Sequence, residues 1–468
     1  MIERRNLADR HERLRDKHEP LRGPQVRDRV LFIGDAHYLR TYSGQLTWAV
    51  LVNLTARLYK GIREIRLVLD HDPDVLPHVF FANDCSKLRA ATLQLLISLS
   101  DGTMDIAEGL PTVDKASYIE VYVGGAAGAD NFSVAGQGWL AFIGDDSWKS
   151  LHPELNPIGP IAAACFATAE VYRRIYIADA VFRPFVFSAF DYSLNSRSNP
   201  PFPSRLQLPR TYIAGTGAVG MALLLTLLCA PGVTSPEGVF AVDFDPLEDT
   251  NINRCILALI KDIGELKTDI IRSRVPWQTL NLHLKDAKWG DFVNDPQHSE
   301  ARHFEFVLSC VDKYEARRSV QYDRMPKVLL TAGTSDFLLS VSRHALHADL
   351  SCGICYQARD ATPACATASN GTQQAFEVPI DPSIGFVSVL AGMLLGAEFL
   401  KEINPAWHWV RVQNTVRVTL NVLAVGPKTK LMRRGKDPQC NCSSKYVALG
   451  YREIWGSPID FADADALL

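Results

Sequence analysis

The chain has 468 residues, 47% of them hydrophobic and 22% charged, with a net charge of −3 at pH 7. That length holds two or three domains, and the near-neutral balance excludes a dedicated nucleic-acid binder. With no apolar run long enough to span a bilayer and an N-terminus too charged for a secretory signal, we expect a cytoplasmic protein whose ten cysteines are thiols, ligands or nucleophiles rather than disulfides.

Residues 1–27 form a charged arm. Leu7, Leu14 and Leu21 recur there every seven residues, which predicts a helix with one narrow apolar stripe, ending near Pro20. Arg29–Ile33 then reads as a strand, Gly44–Tyr59 as a helix and Ile65–Asp70 as a strand. Tyr118–Val123 and Leu140–Phe142 read as further strands, and Ile158–Ile175 as an alanine-rich helix opened by Asn156-Pro157. This βαβ alternation predicts an α/β domain over 28–194, with a mostly parallel sheet and helices on both faces. The Pro- and Ser-rich run 195–204 (NSRSNPPFPS) reads as a linker. A second α/β domain covers 205–468.

The second domain opens on chemistry. Gly215, Gly217 and Gly220 fit G-x-G-x-x-G between a strand, Tyr212–Ala214, and a helix-prone run, Met221–Cys229. The first glycine permits a tight turn, the second lets a phosphate approach the backbone, and the third lets the helix pack on the strand. Dinucleotide-binding domains share that loop. A second strand, Val239–Val242, ends in Asp243 and Asp245, placed to bind ribose hydroxyls. Asn251, Asn253 and Arg254 follow at once, then Lys267. Hydride transfer has no need of two amides, a guanidinium and an ammonium around phosphates. Attack on the α-phosphate of ATP does, because charge builds there and pyrophosphate must leave.

The run GTGAVG, VDFDPLEDTNINR, GELK, SCVDKYEAR resembles, in that order, the motifs of the ThiF/MoeB and ubiquitin-activating superfamily of adenylating enzymes, over about Arg210 to Ile403. The resemblance implies that Asp243 binds the ribose of ATP, that Asn253, Arg254 and Lys267 handle the phosphates, and that Asp312 holds Mg²⁺. Cys255 stands where the family usually carries Gln, and Lys313 where Asn is common. The family also places an arginine from the N-terminal helix of one half at the nucleotide of the other. Arg4, Arg5, Arg10, Arg13 and Arg15 are the candidates.

NPIGPIAAACFATAEVYRRI in the first domain is similar to DPSIGFVSVLAGMLLGAEFLKEI in the second, so the chain reads as two Rossmann-like halves, a pseudo-dimer within one chain. The N-terminal half carries Gly34-Asp35-Ala36-His37 in place of a phosphate loop, and an aspartate there repels triphosphate. It is expected to be a degenerate adenylation domain, as in ubiquitin-activating enzymes; two unrelated α/β domains are the alternative.

Two cysteine pairs, Cys352/Cys355 in C-x-x-C and Cys440/Cys442 in C-x-C, supply four thiolates for a tetrahedral structural zinc. A redox pair and plain buried thiols are the rivals. Relatives carry a CxxC at the first position and a second pair near the C-terminus. Cys365, in the small-residue run TPACATA, is a loop thiol able to take an acyl group from an adenylate as a thioester. An inert thiol is its rival. Cys85, Cys165, Cys229 and Cys310 fall in apolar runs and read as core.

The resulting expectation is an ATP-dependent activating enzyme for a ubiquitin-like protein with a C-terminal glycine, passing it to a ubiquitin-conjugating-type enzyme. The chain leaves no room for a large catalytic-cysteine domain after Cys355 or a ubiquitin-fold domain after Cys442. It therefore looks most like the activating enzymes of bacterial ubiquitin-like conjugation operons linked to antiviral defence. The alternatives are adenylation of a sulfur carrier or peptide without conjugation, and a non-catalytic nucleotide-binding scaffold.

Overall fold

The computed structural model describes residues 7, 9–79, 81, 84–112, 117–128, 131–177, 182–274, 280–295, 303–346, 350–355, 384–404, 406–407, 413–420 and 426–456. In chain order, the first half carries α1 (Asp9–Lys17), β1 (Arg29–Gly34), α2 (Tyr42–Ala56), β2 (Glu64–Leu69), α3 (Leu88–Leu99), β3 (Asp105–Glu108), β4 (Tyr118–Val123), β5 (Phe132–Gln137), β6 (Leu140–Ile143), α4 (Ile158–Tyr176) and β7 (Phe185–Ser188). The second carries β8 (Leu206–Gln207), β9 (Thr211–Ala214), α5 (Ala218–Leu228), β10 (Val233–Asp243), α6 (Lys267–Arg274), β11 (Leu280–Asp286), α7 (Trp289–Asn294), β12 (Phe306–Ser309), α8 (Tyr314–Tyr322), β13 (Val328–Ser335), β14 (Leu338–His344), α9 (Gly385–Ile403), β15 (Thr415–Leu420), β16 (Pro427–Met432) and α10 (Lys445–Trp455).

The first sheet runs β3-β2-β1-β4-β5-β6-β7, parallel through β5 and antiparallel after it. The second runs β11-β10-β9-β12-β13-β14-β15-β16, parallel through β13 and antiparallel after it, with β8 pairing β10. The two orders match strand for strand as far as β7 and β15. Both reverse direction of build at a central strand, β1 or β9. Open α/β sheets bind ligands at that point, outside the strand ends.

The strands predicted from sequence all form, with ends shifted by a few residues. The strand predicted at Val239–Val242 is the exception: β10 starts at Val233. α2 is buried on every side, as expected of a helix apolar all round, and its start is capped by Thr41, whose hydroxyl accepts from Gly44 N at 3.0 Å. α2, α4, α5 and α9 stack between the sheets into one core. Small residues set how closely α9 approaches α5: a Cβ on Gly392 would stand 2.3 Å from the Val219 carbonyl oxygen.

Leu7, Leu14 and Leu21 are all buried, as the spacing predicts, but the helix is shorter than expected: α1 ends at Lys17 and carries only Leu14, while Leu21 sits in a separate short turn at Glu19–Leu21. The arm bridges the two halves. Glu12 pairs with Lys60 of the first half at 2.9 Å, Lys17 pairs with Asp336 of the second at 2.7 Å, and the His18 ring lies 5.1 Å from that of Phe337.

Segment 195–204 is pinned rather than free. Asn199 Oδ1 accepts from Trp139 N at 2.8 Å, the Pro200 carbonyl accepts from Trp139 Nε1 at 3.0 Å, and Glu154 accepts from Phe202 N at 2.8 Å. Composition marked it as irregular; Trp139 decides where it lies. No helix among the described residues is long and apolar enough to cross a membrane.

Candidate functional site

β9 ends at Ala214 and turns at Gly215, whose φ of +88° only glycine adopts without strain. Its amide donates to the Val242 carbonyl at 2.9 Å, so the turn is fastened to the end of β10. Gly217 caps α5 and has nothing within 4 Å of the place a Cβ would take, which leaves the helix N-terminus open. At Gly220 a Cβ would stand 2.2 Å from the Gly215 carbonyl oxygen. That contact is with backbone, so helix and strand would have to separate. Gly220→Ala is expected to cost about 1–3 kcal/mol and to weaken nucleotide binding; a melting temperature equal to wild type would refute this reading of the loop.

Asp243, at the end of β10, is buried and already engaged. Its Oδ2 accepts from Thr216 N at 2.6 Å and from the Thr216 hydroxyl at 3.1 Å, and its Oδ1 accepts from Asp245 N at 2.9 Å. One carboxylate thus ties the glycine loop to the strand end. Sequence reasoning missed Thr216; the available signal was a hydroxyl inside the glycine loop facing an acid one strand away.

Beyond β10, Pro246 bridges Leu266, and Leu247 N and Gly264 N bond the carbonyls of Glu265 and Leu247. This antiparallel clip delivers Lys267, the first residue of α6, back to the end of β10. Its Nζ is 3.3 Å from Asp245 Oδ2, and its side chain is 9% exposed against 53% for Asp245.

Between the arms of the clip, Asn251 and Asn253 are buried. Arg254 is half-buried and donates to the Thr250 carbonyl and, at 3.2 Å, to Asn253 Oδ1. Asn253 Nδ2 is buried and has no hydrogen-bond partner among the described residues. A buried amide donor left unpaired costs free energy unless a ligand takes it. With the open helix end and Lys267, it makes a donor set that fits a polyphosphate.

β12 lies on the other side of β9, and Cys310 N bonds the Ala214 carbonyl at 2.8 Å. Val311 packs within 3.1 Å of the Gly215 Cβ position, so Asp312, the next residue, stands exposed beside the loop. Hard oxygen donors of this kind suit Mg²⁺. Arg317 of α8, also unforeseen, donates from Nε to the Val311 carbonyl at 2.9 Å. It lines a cavity of about 250 Å³ with Thr331, Gly333, Ser340, Cys355 and Arg417.

The four zinc-candidate thiols come together. Cys352 Sγ lies 3.6 Å from Cys355 Sγ and 3.5 Å from Cys440 Sγ, and Cys355 Sγ lies 3.3 Å from Cys442 Sγ. All four lie within 4.8 Å of one another. Disulfide sulfurs stand at about 2.05 Å, whereas the edge of a tetrahedral zinc–thiolate site is about 3.8 Å for Zn–S bonds of about 2.3 Å. Hydrogen bonding to Cys355 and Cys442, with burial added, pushes the Cys352 thiol well up, while hydrogen bonds from Cys352 and Cys442 pull Cys355 down. The cluster fits a divalent cation better than a redox pair.

Of the cysteines read as core, Cys165 and Cys229 are buried, whereas Cys85 and Cys310 are partly exposed. Burial of the Cys310 sulfur still pushes its pKa up to about 12. Cys365, Arg4 and Arg5 lie outside the described residues, as does the side chain of Arg10. Arg13 is exposed, and Arg15 bonds its neighbour Asp16 at 3.1 Å. The chain described on either side of Cys365 reaches Cys355 in the thiol cluster and continues from Ile384. There the Cβ position of Gly385 is 2.7 Å from the Asn253 carbonyl oxygen.

The sequence is 25% identical over 324 residues to the uncharacterized protein y4jF of Sinorhizobium fredii, covering 67% of this chain and 57% of that protein. It is 24% identical over 275 residues to the adenylyltransferase and sulfurtransferase UBA4 of Meyerozyma guilliermondii, covering 56% and 59%. It is 30% identical over 148 residues to the ubiquitin-activating enzyme E1 1 of Candida albicans, covering 28% and 14%. The chain thus spans less than two thirds of the length of each. The sequence model of the ThiF family matches residues 199–443, just over half of the chain and the whole of the glycine loop, the clip and the thiol cluster, and the chain belongs to that family.

Proposed function

We propose that this chain uses ATP to adenylate the C-terminal carboxylate of a protein partner. The observation that carries the proposal is the convergence, at one sheet end, of an open glycine loop, an unpaired buried amide on Asn253, Arg254 and the buried ammonium of Lys267. The names of two relatives, an adenylyltransferase and sulfurtransferase and a ubiquitin-activating enzyme, support this class. The phosphates of ATP lie along the glycine loop and the N-terminus of α5. A carboxylate oxygen of the partner attacks the α-phosphorus, the bond from that phosphorus to the bridging oxygen breaks, and pyrophosphate leaves. Arg254, Lys267 and Asn253 offset the charge that grows on the phosphates. Magnesium, when bound, neutralises phosphate charge, and Asp312 is the residue that would hold it. Asp243 faces the ribose, and Asp245 holds Lys267 in place.

The finer reading is a ubiquitin-like partner ending in glycine. Two features support it. The cavity beside Arg317 combines small and hydroxyl side chains such as Gly333, Gly353 and Ser340 with the cations Arg417 and Arg434, which suits an extended tail of small residues ending in a carboxylate. The N-terminal half repeats the sheet order but fills its own loop: Asp35 Oδ1 accepts from His37 N and Tyr38 N at 3.0 and 2.8 Å, and the Tyr38 ring lies tilted with its centre 4.6 Å from that of Trp148. One spent and one working half is the plan of activating enzymes. In this reading Cys365 then takes the acyl group: the thiolate sulfur attacks the acyl carbon, the bond to the phosphate oxygen breaks, and AMP leaves. A ubiquitin-conjugating-type enzyme receives it, in a bacterial conjugation system of the antiviral kind. The four thiols hold zinc, and an arm arginine completes the ATP site across the pseudo-dimer.

A second reading, adenylation of a sulfur-carrier protein without conjugation, draws on the name of UBA4. One experiment separates them. With a glycine-ended partner, wild type is expected to support ATP–pyrophosphate exchange and to form a reducible adduct on a gel. Cys365→Ala is expected to keep the exchange and lose the adduct. A wild type with exchange but no adduct supports the second reading, and no exchange with any partner removes both.

A further inference from the structure

Arg57 follows α2 in the N-terminal half, and its side chain is wholly buried. Within its own half it makes one anchor: Nε donates to Asn53 Oδ1 at 2.7 Å. Its other hydrogen bonds cross to the second half. One terminal nitrogen donates to the Ile252 carbonyl, and the other to the carbonyls of Ile256 at 3.0 Å and Ala258 at 2.7 Å. Asn53 Nδ2 adds a bond to the same Ile256 carbonyl at 3.2 Å.

Those carbonyls bracket the phosphate cluster. Ile252 precedes Asn253, and its carbonyl shares a rigid peptide plane with the Asn253 backbone nitrogen, next to the Cα that carries the side-chain amide. Ile256 and Ala258 lie two and four residues beyond Arg254. A planar guanidinium holding three carbonyls fixes their relative positions as well as their distance. No carboxylate among the described residues bonds to Arg57, and the nearby Asp262 is taken by Arg274 at 2.6 and 2.7 Å. Burying a cation without an anionic partner is costly. Apolar side chains already join the halves through α4 and α9, so adhesion alone does not call for this arrangement.

We propose that Arg57 is a positioning residue for the candidate ATP site: through it the N-terminal half sets the geometry of Asn251, Asn253 and Arg254. The half without a usable phosphate loop thereby acts on the segment 252–258 of the other, beside its glycine loop. This rests on the adenylation reading, and the test separates the two.

The test uses the full chain in three forms: Arg57→Met, which keeps bulk and removes the donors; Arg57→Ala, with and without millimolar guanidinium; and Asn53→Ala, which removes the anchor. Hydrogen exchange of the amides of residues 251–258 needs neither ATP nor partner. It is expected to speed up in all three, while protection in α4 and α9 stays. The KM for ATP in pyrophosphate exchange is expected to rise about tenfold in Arg57→Met, since sub-ångström displacement of phosphate ligands weakens their alignment. Guanidinium is expected to restore part of that in Arg57→Ala, which a general loss of stability would not allow. Should Arg57→Met not fold, Asn53→Ala carries both measurements. Wild-type exchange at 251–258 together with a wild-type KM overturns the proposal. A wild-type protein that neither binds nor uses ATP overturns the adenylation reading instead, and the exchange data still decide whether Arg57 holds that segment.

Discussion

Lys267→Ala and Arg254→Ala are each expected to lower ATP–pyrophosphate exchange by about 10²–10³-fold, the loss that follows removal of one preorganised donor at developing charge. The structure separates this from unfolding. The Lys267 ammonium is nearly buried, but its carboxylate partner Asp245 is half-exposed. Removing the lysine therefore leaves Asp245 to water, at little cost in stability. Arg254 also donates to Thr250 and Asn253, so its loss is expected to add about 0.5–1.5 kcal/mol of destabilisation. Asp312→Ala is expected to fall with them, with part of the activity recovered at high magnesium. Activity, melting temperature and magnesium dependence measured together decide it. Near-wild-type exchange in all three variants would remove the phosphate assignment.

The second large effect concerns the thiols. Purified protein is expected to carry about one zinc, and Cys355→Ser is expected to abolish its retention. Structural zinc contributes about 10–16 kcal/mol in small zinc-dependent peptides at neutral pH, comparable to the whole stability of a domain. Here the loss is expected to be local. The thiols sit in a small cluster of their own with Leu346, Ile354 and Tyr451, apart from the main core between the sheets. They join residues 350–355 to the segment at 440–442, helped by the Ser351 amide bonding the Arg434 carbonyl at 3.1 Å. Metal removal is therefore expected to expose residues 350–355 and 427–456 to hydrogen exchange while β9 and α5 stay protected. Metal analysis of protein prepared without chelator that finds no zinc would end this claim.

Much of the candidate site is legible in the amino-acid order, and the reason is local. A phosphate loop is a strand, three spaced glycines and a helix within a dozen or so residues, and Gly215 and Gly220 occupy it for the steric reasons the pattern implies. The burial of Leu7, Leu14 and Leu21 in the arm is legible from their even spacing, although α1 itself spans only Asp9–Lys17. The partners that tune the site are less so. Thr216 looks like a spacer, and only the return of β10 beside β9 makes it the donor to Asp243. Arg317 looks like one charge among several on α8. Segment 195–204 reads as a linker from composition, yet its asparagine and proline satisfy polar groups of Trp139. Cys365 remains a reading of sequence alone.

The sequence by itself determined the α/β alternation, the order of the motifs and the four thiols available to a metal, because each rests on residues close together in the chain. Only the tertiary structure decided that the two cysteine pairs meet, that the arm spans both halves, and that Arg57 bonds carbonyls at Ile252, Ile256 and Ala258. Those pairings depend on how helices and sheets dock across separations of many tens of residues. Docking is set by shape and by the satisfaction of buried polar groups, and neither leaves a periodic mark in the sequence.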